Sequence, residues 1–227
     1  FGTDLMLTTP LVRLVDDDEA LRNALLFSLR MADLRAVGYE SAEEFLRRDD
    51  PAVPGCVVMD IRMTGMSGLE CHARMPSLGF DQPVVFLSGH GDIEMALLAV
   101  KNGAADFFTK PVDPEKLARA ARELFAWNLD ARRRSREREH ARKRVDTLTP
   151  RELDVALETV KGDTNKAIAA RLGVSEQAVK IHRSSVYAKL EVRSAVEIKA
   201  VLDAAGVPDA GADRRLPSGI EARLLSE

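Results

Sequence analysis

Residues 56–70, CVVMDIRMTGMSGLE, decide the fold. A short apolar run, 56–59, ends on Asp60, and a loop containing Gly65 and Gly68 follows. Continuous apolar runs of this length read as strands buried on both faces. Similar runs stand at 11–15, 84–87 and 105–108, with a weaker one at 34–37. Between them, Leu21, Ala24, Leu25 and Ser28 recur at helical spacing, as do Ile93, Ala96, Leu97 and Val100. Strands alternating with helices predict a doubly wound α/β domain whose parallel sheet is covered on both sides. Ligands of such folds bind beyond the carboxyl ends of the strands.

The chain has 227 residues, 45% hydrophobic and 30% charged, so it has the makeup of a folded protein large enough for two domains. Cys56 and Cys71 are too few for a disulfide framework, and a reducing cytoplasm is the expected compartment. No apolar run approaches the roughly 20 residues of a membrane span, so no membrane is expected as a partner. The head, residues 1–10, carries Asp4 and no basic start, and reads as a trimmed or tagged end rather than a secretory signal. The net charge of −3 hides an asymmetry. Residues 1–129 hold 13 basic and 20 acidic side chains, residues 130–144 hold 8 and 3, and residues 145–202 hold 9 and 8. An acidic half joined by a basic run to a near-neutral half predicts two domains with different partners.

From Pro114 to Pro150 no glycine or proline intervenes, and a helix is expected over 114–144. Its apolar side, Leu117, Ala121, Leu124 and Trp127, stops at Leu129. The run DARRRSREREHARKR, 130–144, has strong helix propensity and nothing to bury, so it reads as a solvated linker helix. A basic arm contacting nucleic acid is the alternative, and a coiled coil lacks its a/d pattern. Thr149-Pro150-Arg151-Glu152 is a capping box that opens the second domain. Helices are expected at 164–172, 175–190 and 194–202, with Gly173 as a left-handed cap and Ser175 as the next N-cap. Two helices joined by so short a turn form a helix-turn-helix. The expected organisation is 11–128, an α/β domain; 129–145, a basic linker; 146–203, a small all-α domain; and 204–227, a disordered tail.

Asp16, Asp17 and Asp18 follow the first strand, Asp60 ends the third, Ser88 the fourth and Lys110 the fifth. In a parallel sheet these ends share one edge. Singly, each has a plain explanation: Asp18 as an N-cap, Ser88 and Gly89 as a turn, Lys110 and Pro111 as a loop. Together they describe chemistry. Carboxylates in one cleft repel and call for a hard cation such as Mg²⁺. A carboxylate is also a nucleophile toward phosphorus, and an ammonium and a hydroxyl stabilise a transferring phosphoryl group.

VDDD (15–18), VVMDIRMTGMSGLE (57–70), VVFLSGHGD (84–92) and FFTKP (107–111) resemble the receiver domain of bacterial two-component response regulators, especially the NarL/FixJ subfamily. The resemblance implies a flavodoxin-like five-stranded sheet of order 2-1-3-4-5 with Asp60 as phosphoacceptor. It implies Mg²⁺ on Asp16, Asp17, Asp60 and the Arg62 backbone carbonyl, phosphoryl binding by Ser88 and Lys110, and Phe107 as the switching aromatic. Thr64 stands where such loops usually have proline, a change expected to loosen the loop. An Asp-nucleophile phosphatase would need a second Asp where this chain has Arg62, so an enzyme in the ordinary sense is not expected, although a receiver catalyses its own phosphorylation and dephosphorylation.

LTPRE (148–152), NKAIAARLGVSEQAVKIHRSSVYAKL (165–190) and VRS (192–194) resemble the LuxR-type helix-turn-helix. On a helix turning about 100° per residue, Val179, Val186 and Leu190 share one face, with His182 at its edge. Lys180, Ile181 and Ser184 lie on the other, where Lys180 suits guanine and Ile181 a thymine methyl. Lys166 and Arg183 are expected at phosphates. Glu191 stands where the family often has glycine, which questions the helix ending, and the last helix would be the dimer surface by resemblance. The expected function is a DNA-binding transcriptional response regulator. Its expected partners are double-stranded DNA, a sensor histidine kinase, RNA polymerase and, when phosphorylated, a second copy. The rival is a constitutive DNA-binding regulator whose receiver is only an interaction module.

Overall fold

The computed structural model describes residues 9–89, 101 and 103–207. Strand β1 (Leu11–Val15) leads to α1 (Glu19–Met31), β2 (Ala36–Tyr39), α2 (Ala42–Arg48), β3 (Gly55–Asp60) and α3 (Gly68–Arg74). A 3-10 turn, Met75–Leu78, precedes β4 (Val84–Ser88), β5 (Asp106–Thr109) and the long helix α4 (Pro114–Val145). Helices α5 (Pro150–Val160), α6 (Asn165–Leu172), α7 (Glu176–Lys189) and α8 (Ala195–Ala205) complete the chain. The helix expected around Ile93, Ala96, Leu97 and Val100 lies outside the described residues, as does the tail from 208 onward. The chain divides into two compact units, Phe1–Arg132 and Arg133–Glu227. No described helix is long and apolar enough to cross a membrane.

In the first unit all five strands are parallel in the order β2-β1-β3-β4-β5, the order expected from the sequence. Every residue of β3 is buried. Its side chains alternate, as strand geometry demands. Val57 and Met59 join Phe45 of α2 and Cys71 of α3 in one core layer. Cys56 and Val58 join Leu25 and Leu29 of α1 and Leu117 and Ala121 of α4 in the other.

Three local readings are corrected. The weak second strand is Ala36–Tyr39, not 34–37, because Leu34 still bonds back to the last turn of α1. Asp33 turns left-handed at φ 57 and the Leu34 N–H closes on the Leu29 carbonyl, a helix-terminating arrangement. Trp127, expected on the buried side of α4, is 55% exposed, and Phe125 takes that place. The basic run is not without burial either. Arg132 donates to the Asp81 carboxylate at 2.9 Å and to the Pro51 carbonyl at 2.6 Å, and Ala141 and Val145 are buried.

One feature of the first unit had no sequence signal. Arg13, in the middle of β1, is fully buried. Its Nε donates to Asp49 Oδ2 at 2.5 Å, and other guanidinium N–H groups donate to the Leu11, Asp50 and Val53 carbonyls at 3.2, 3.1 and 2.8 Å. The Tyr39 hydroxyl donates to Asp49 Oδ1 at 2.6 Å; burial, then this bond, pushes the phenol pKa above its usual value. The network ties β1, β2 and the segment entering β3.

In the second unit, Val145 packs with Val186, Leu190, Ile198 and Leu202, and a smaller cluster joins Val155, Ile168 and Val179. The capping box forms as expected: Thr149 accepts from the Glu152 N–H, and the Glu152 carboxylate accepts from the Thr149 N–H. Gly173 is left-handed at φ 66. The last helix runs to Ala205, past the expected boundary at 203, because Gly206 supplies the left-handed stop and Val207 still packs on the core.

Arg13→Met leaves the buried Asp49 carboxylate without its counter-ion, held by the Tyr39 hydroxyl alone, and is expected to cost about 3–5 kcal/mol in urea unfolding. The double variant Arg13→Met/Asp49→Leu recovers much of that loss, since no lone charge remains inside.

Candidate functional site

β1 and β3 end side by side, in register from Leu11↔Gly55 to Val15↔Met59, which sets the aspartates after β1 beside Asp60. Pairing of β4 with β5 brings Ser88 opposite Thr109, next to Lys110. The side chains converge. Lys110 Nζ lies 2.9 Å from Asp16 Oδ2 and 2.7 Å from Asp60 Oδ2. Asp16 is wholly buried and Asp60 is 8% exposed, whereas Asp17 is exposed. Oxygens of Asp16, Asp17 and Asp60 lie within 4.8 Å of one another. Clustered carboxylate oxygens are the hard donors that suit a small divalent cation such as Mg²⁺.

Electrostatics at the site are set by burial against hydrogen bonding. Burial raises the Asp60 pKa, while the Lys110 ammonium and the Arg62 N–H, 3.2 Å from Asp60 Oδ1, pull it down. Burial also works against the charge on Lys110, but its bonds to Asp60 and Asp16 outweigh it and the pKa is raised. The Asp17 pKa is lowered, first by the Thr64 N–H. Ser88 is buried, and its hydroxyl donates weakly to the Phe108 carbonyl at 3.4 Å. Phe107 sits in β5 opposite Phe86, half-buried against the core. Asp18 is the N-cap of α1, as read from sequence, accepting from the Leu21 N–H.

The loop after Asp60 is not loosened by Thr64. Its N–H and hydroxyl both donate to Asp17 Oδ2, at 2.8 and 3.0 Å. Two further contacts of this loop were passed over in the sequence. Gly68 cannot carry a side chain, because a Cβ there would meet the Asp60 carbonyl oxygen at 2.1 Å. Glu43 accepts from the Met66 N–H at 2.8 Å. The SG pair at 67–68 was the available signal for the first; nothing local announced the second.

In the second unit Val179, Val186 and Leu190 are buried, and Lys180, Ile181 and Ser184 are exposed on α7, as expected. Ile181 is 60% exposed, and Lys166 on α6 is also outward. Arg183 has partners within this unit that the sequence did not announce. Its Nη1 donates to Asn165 Oδ1 at 2.7 Å and its guanidinium lies over the Tyr187 ring, so it braces α7 against α6. His182 is half-buried. Glu191 adopts φ 52, so the helix ends as a glycine would end it, at the strain cost of a left-handed side chain.

Glu152 does more than cap. It is buried, and its carboxylate accepts from Lys189 Nζ at 2.6 Å, from the Ser185 hydroxyl and from the Thr149 N–H at 2.8 Å. These bonds, Lys189 first, lower its pKa to about 2. They clamp the C-terminal half of α7 to the start of α5.

The comparisons with known proteins agree with this arrangement. Residues 12–122 match the family model "Response regulator receiver domain", and residues 146–202 match "Bacterial regulatory proteins, luxR family". Nodulation protein W of Bradyrhizobium diazoefficiens is 36% identical over 202 residues, covering 88% of each chain. The transcriptional regulatory protein FixJ of Azorhizobium caulinodans is 36% identical over 199 residues, covering 88% of this chain and 94% of its own. The chain is a response regulator of the NarL/FixJ type. Among solved structures, the response regulator StyR superposes with a TM-score of 0.76 at 35% identity, covering 86% of this chain and 99% of its own. Full-length FixJ of B. japonicum gives 0.54 at 30% identity over 88% of this chain and 99% of its own. This regulator is thus a DNA-binding transcription factor joined to a receiver, and not an enzyme in the ordinary sense.

Because the folded pKa of Glu152 lies below the ordinary 4.5, its stabilising effect is complete above pH 4.5 and is lost as pH falls toward about 2. Protection of the amides of residues 176–189 in the full chain, taken relative to intrinsic exchange at each pH, is expected to fall across that window. Glu152→Gln is expected to show lower protection at neutral pH and a much flatter dependence.

Proposed function

We propose that Asp60 accepts a phosphoryl group from a sensor histidine kinase and that the modified receiver controls promoter binding through dimerisation. The observation that carries this reading is the Lys110 ammonium held at 2.9 and 2.7 Å between Asp16 and Asp60, with Asp17 beside them. Asp60 Oδ attacks phosphorus; a P–O bond forms, the P–N bond of the kinase phosphohistidine breaks, and imidazole leaves. Asp16, Asp17, Asp60 and the Arg62 carbonyl would hold Mg²⁺, which supplies positive charge opposite the phosphoryl oxygens. Lys110 exchanges its carboxylate contact for a phosphoryl oxygen, and Ser88 turns its hydroxyl from the Phe108 carbonyl to another. Phe107 then moves into the space beside Ser88.

The second unit reads DNA through α7. Lys180, Ile181 and Ser184 face the bases and Lys166 a phosphate, while Arg183 is reassigned from phosphate contact to bracing. Phosphorylation favours a homodimer on paired half-sites, with RNA polymerase as the further partner and the cytoplasm as the compartment.

With Mg²⁺ and acetyl phosphate, mass spectrometry is expected to show one phosphoryl group on wild type and none on Asp60→Asn. Equal labelling removes Asp60 as acceptor, and no labelling of either favours a constitutive regulator with an interaction-only receiver.

Lys180→Ala is expected to cost about 1–3 kcal/mol at the specific site and to relax base preference there, measured as the ratio of specific to random DNA affinity. An equal loss on both DNAs makes Lys180 a phosphate contact.

A further inference from the structure

Thr64 is where this chain departs from the usual proline of the acceptor loop, and the departure has a partner. A proline has neither an N–H nor a hydroxyl, so neither bond to Asp17 is open to it: the first needs a residue other than proline, and the second a hydroxyl. Asp17 is exposed just beyond β1, where a side chain is otherwise free to change rotamer. Both Thr64 donors use the same oxygen, Oδ2, and a carboxylate oxygen offers about two lone-pair sites. Thr64 therefore fills Oδ2 and leaves Oδ1 to face other ligands.

The contact also ties the loop down. The Met66 N–H is held by Glu43 of α2, and the Arg62 N–H by Asp60, so Thr64 lies between two anchored residues. Binding Thr64 to Asp17 fixes the distance between the β1–α1 junction and the segment that carries Asp60 and the Arg62 carbonyl. Those are three of the four groups expected at the cation.

We infer that Thr64 is a positioning residue of the cation site, aiming Asp17 by its N–H and hydroxyl and holding the acceptor loop against it. The inference rests on the reading of Asp16, Asp17 and Asp60 as cation ligands. Partners that orient metal ligands commonly matter by an order of magnitude or more in affinity. Serine should serve at this position and valine only in part.

The test is titration of the full chain with MgCl₂, followed by NMR through the backbone amides of residues 60–66, for wild type, Asp17→Asn, Thr64→Val and Thr64→Ser. Thr64→Val is expected to weaken Mg²⁺ about threefold, with Thr64→Ser close to wild type. Thermal unfolding of each variant serves as the folding control, and the valine–serine pair decides, since both keep the N–H. If wild type and Asp17→Asn respond alike, the cation reading itself fails. If Asp17→Asn is weakened while Thr64→Val matches wild type or binds more tightly, the cation reading stands and the inference is overturned, because Thr64 is then inert or competes with the ion.

Discussion

A strand buried on both faces is the constraint from which the receiver follows. Every side chain of β3 is inside, so helices must cover both sides of the sheet, and only parallel strands with crossover helices arrange that. The same parallelism sends all strand ends to one edge. Asp16 and Asp60 meet there because β1 and β3 run in register, not because either attracts the other. Like charges so placed repel, and the Lys110 ammonium from the end of β5 is what makes their proximity tolerable. The site is thus a consequence of topology stabilised by one cation of the chain's own.

Around this edge, contacts of long sequence separation fix what the strands alone leave loose. Thr64 reaches back 47 positions to Asp17, and Gly68 lets α3 start against the Asp60 carbonyl. At the opposite end of the sheet, Asn128 accepts from the Gly55 N–H at 3.1 Å and donates to the Asp81 carbonyl at 3.1 Å, while Arg132 takes the Asp81 carboxylate. Polar contacts thus hold α4 to the first unit beyond the last of its apolar residues in that unit.

The DNA-binding unit uses the same economy of buried charge. Glu152 opens α5 as a capping residue and then accepts from Ser185 and Lys189, so one carboxylate sets both a helix start and the seat of the recognition helix. Arg183 spends its guanidinium on Asn165 and Tyr187. Lys180, Ile181 and Ser184, the residues proposed above to face the bases, stay outward on the helix so held.

Local physics was legible in the chain itself. The apolar runs announced the strands, the alternation of strand and helix the parallel sheet, Thr149 and Glu152 the capping box, and Gly173 the turn of the helix-turn-helix, because each depends on residues a few positions apart. The strand ends likewise named Asp16, Asp60, Ser88 and Lys110. The partners across the fold were decided only by tertiary structure. Nothing in the strand pattern pointed Arg13 to Asp49, Thr64 read as a loosening substitution until Asp17 came within 2.8 Å, and nothing local paired Arg183 with Asn165. A charged or polar side chain has no periodicity that betrays its partner. Its role depends on distance in space, which the sequence orders only through the packing of the apolar residues between.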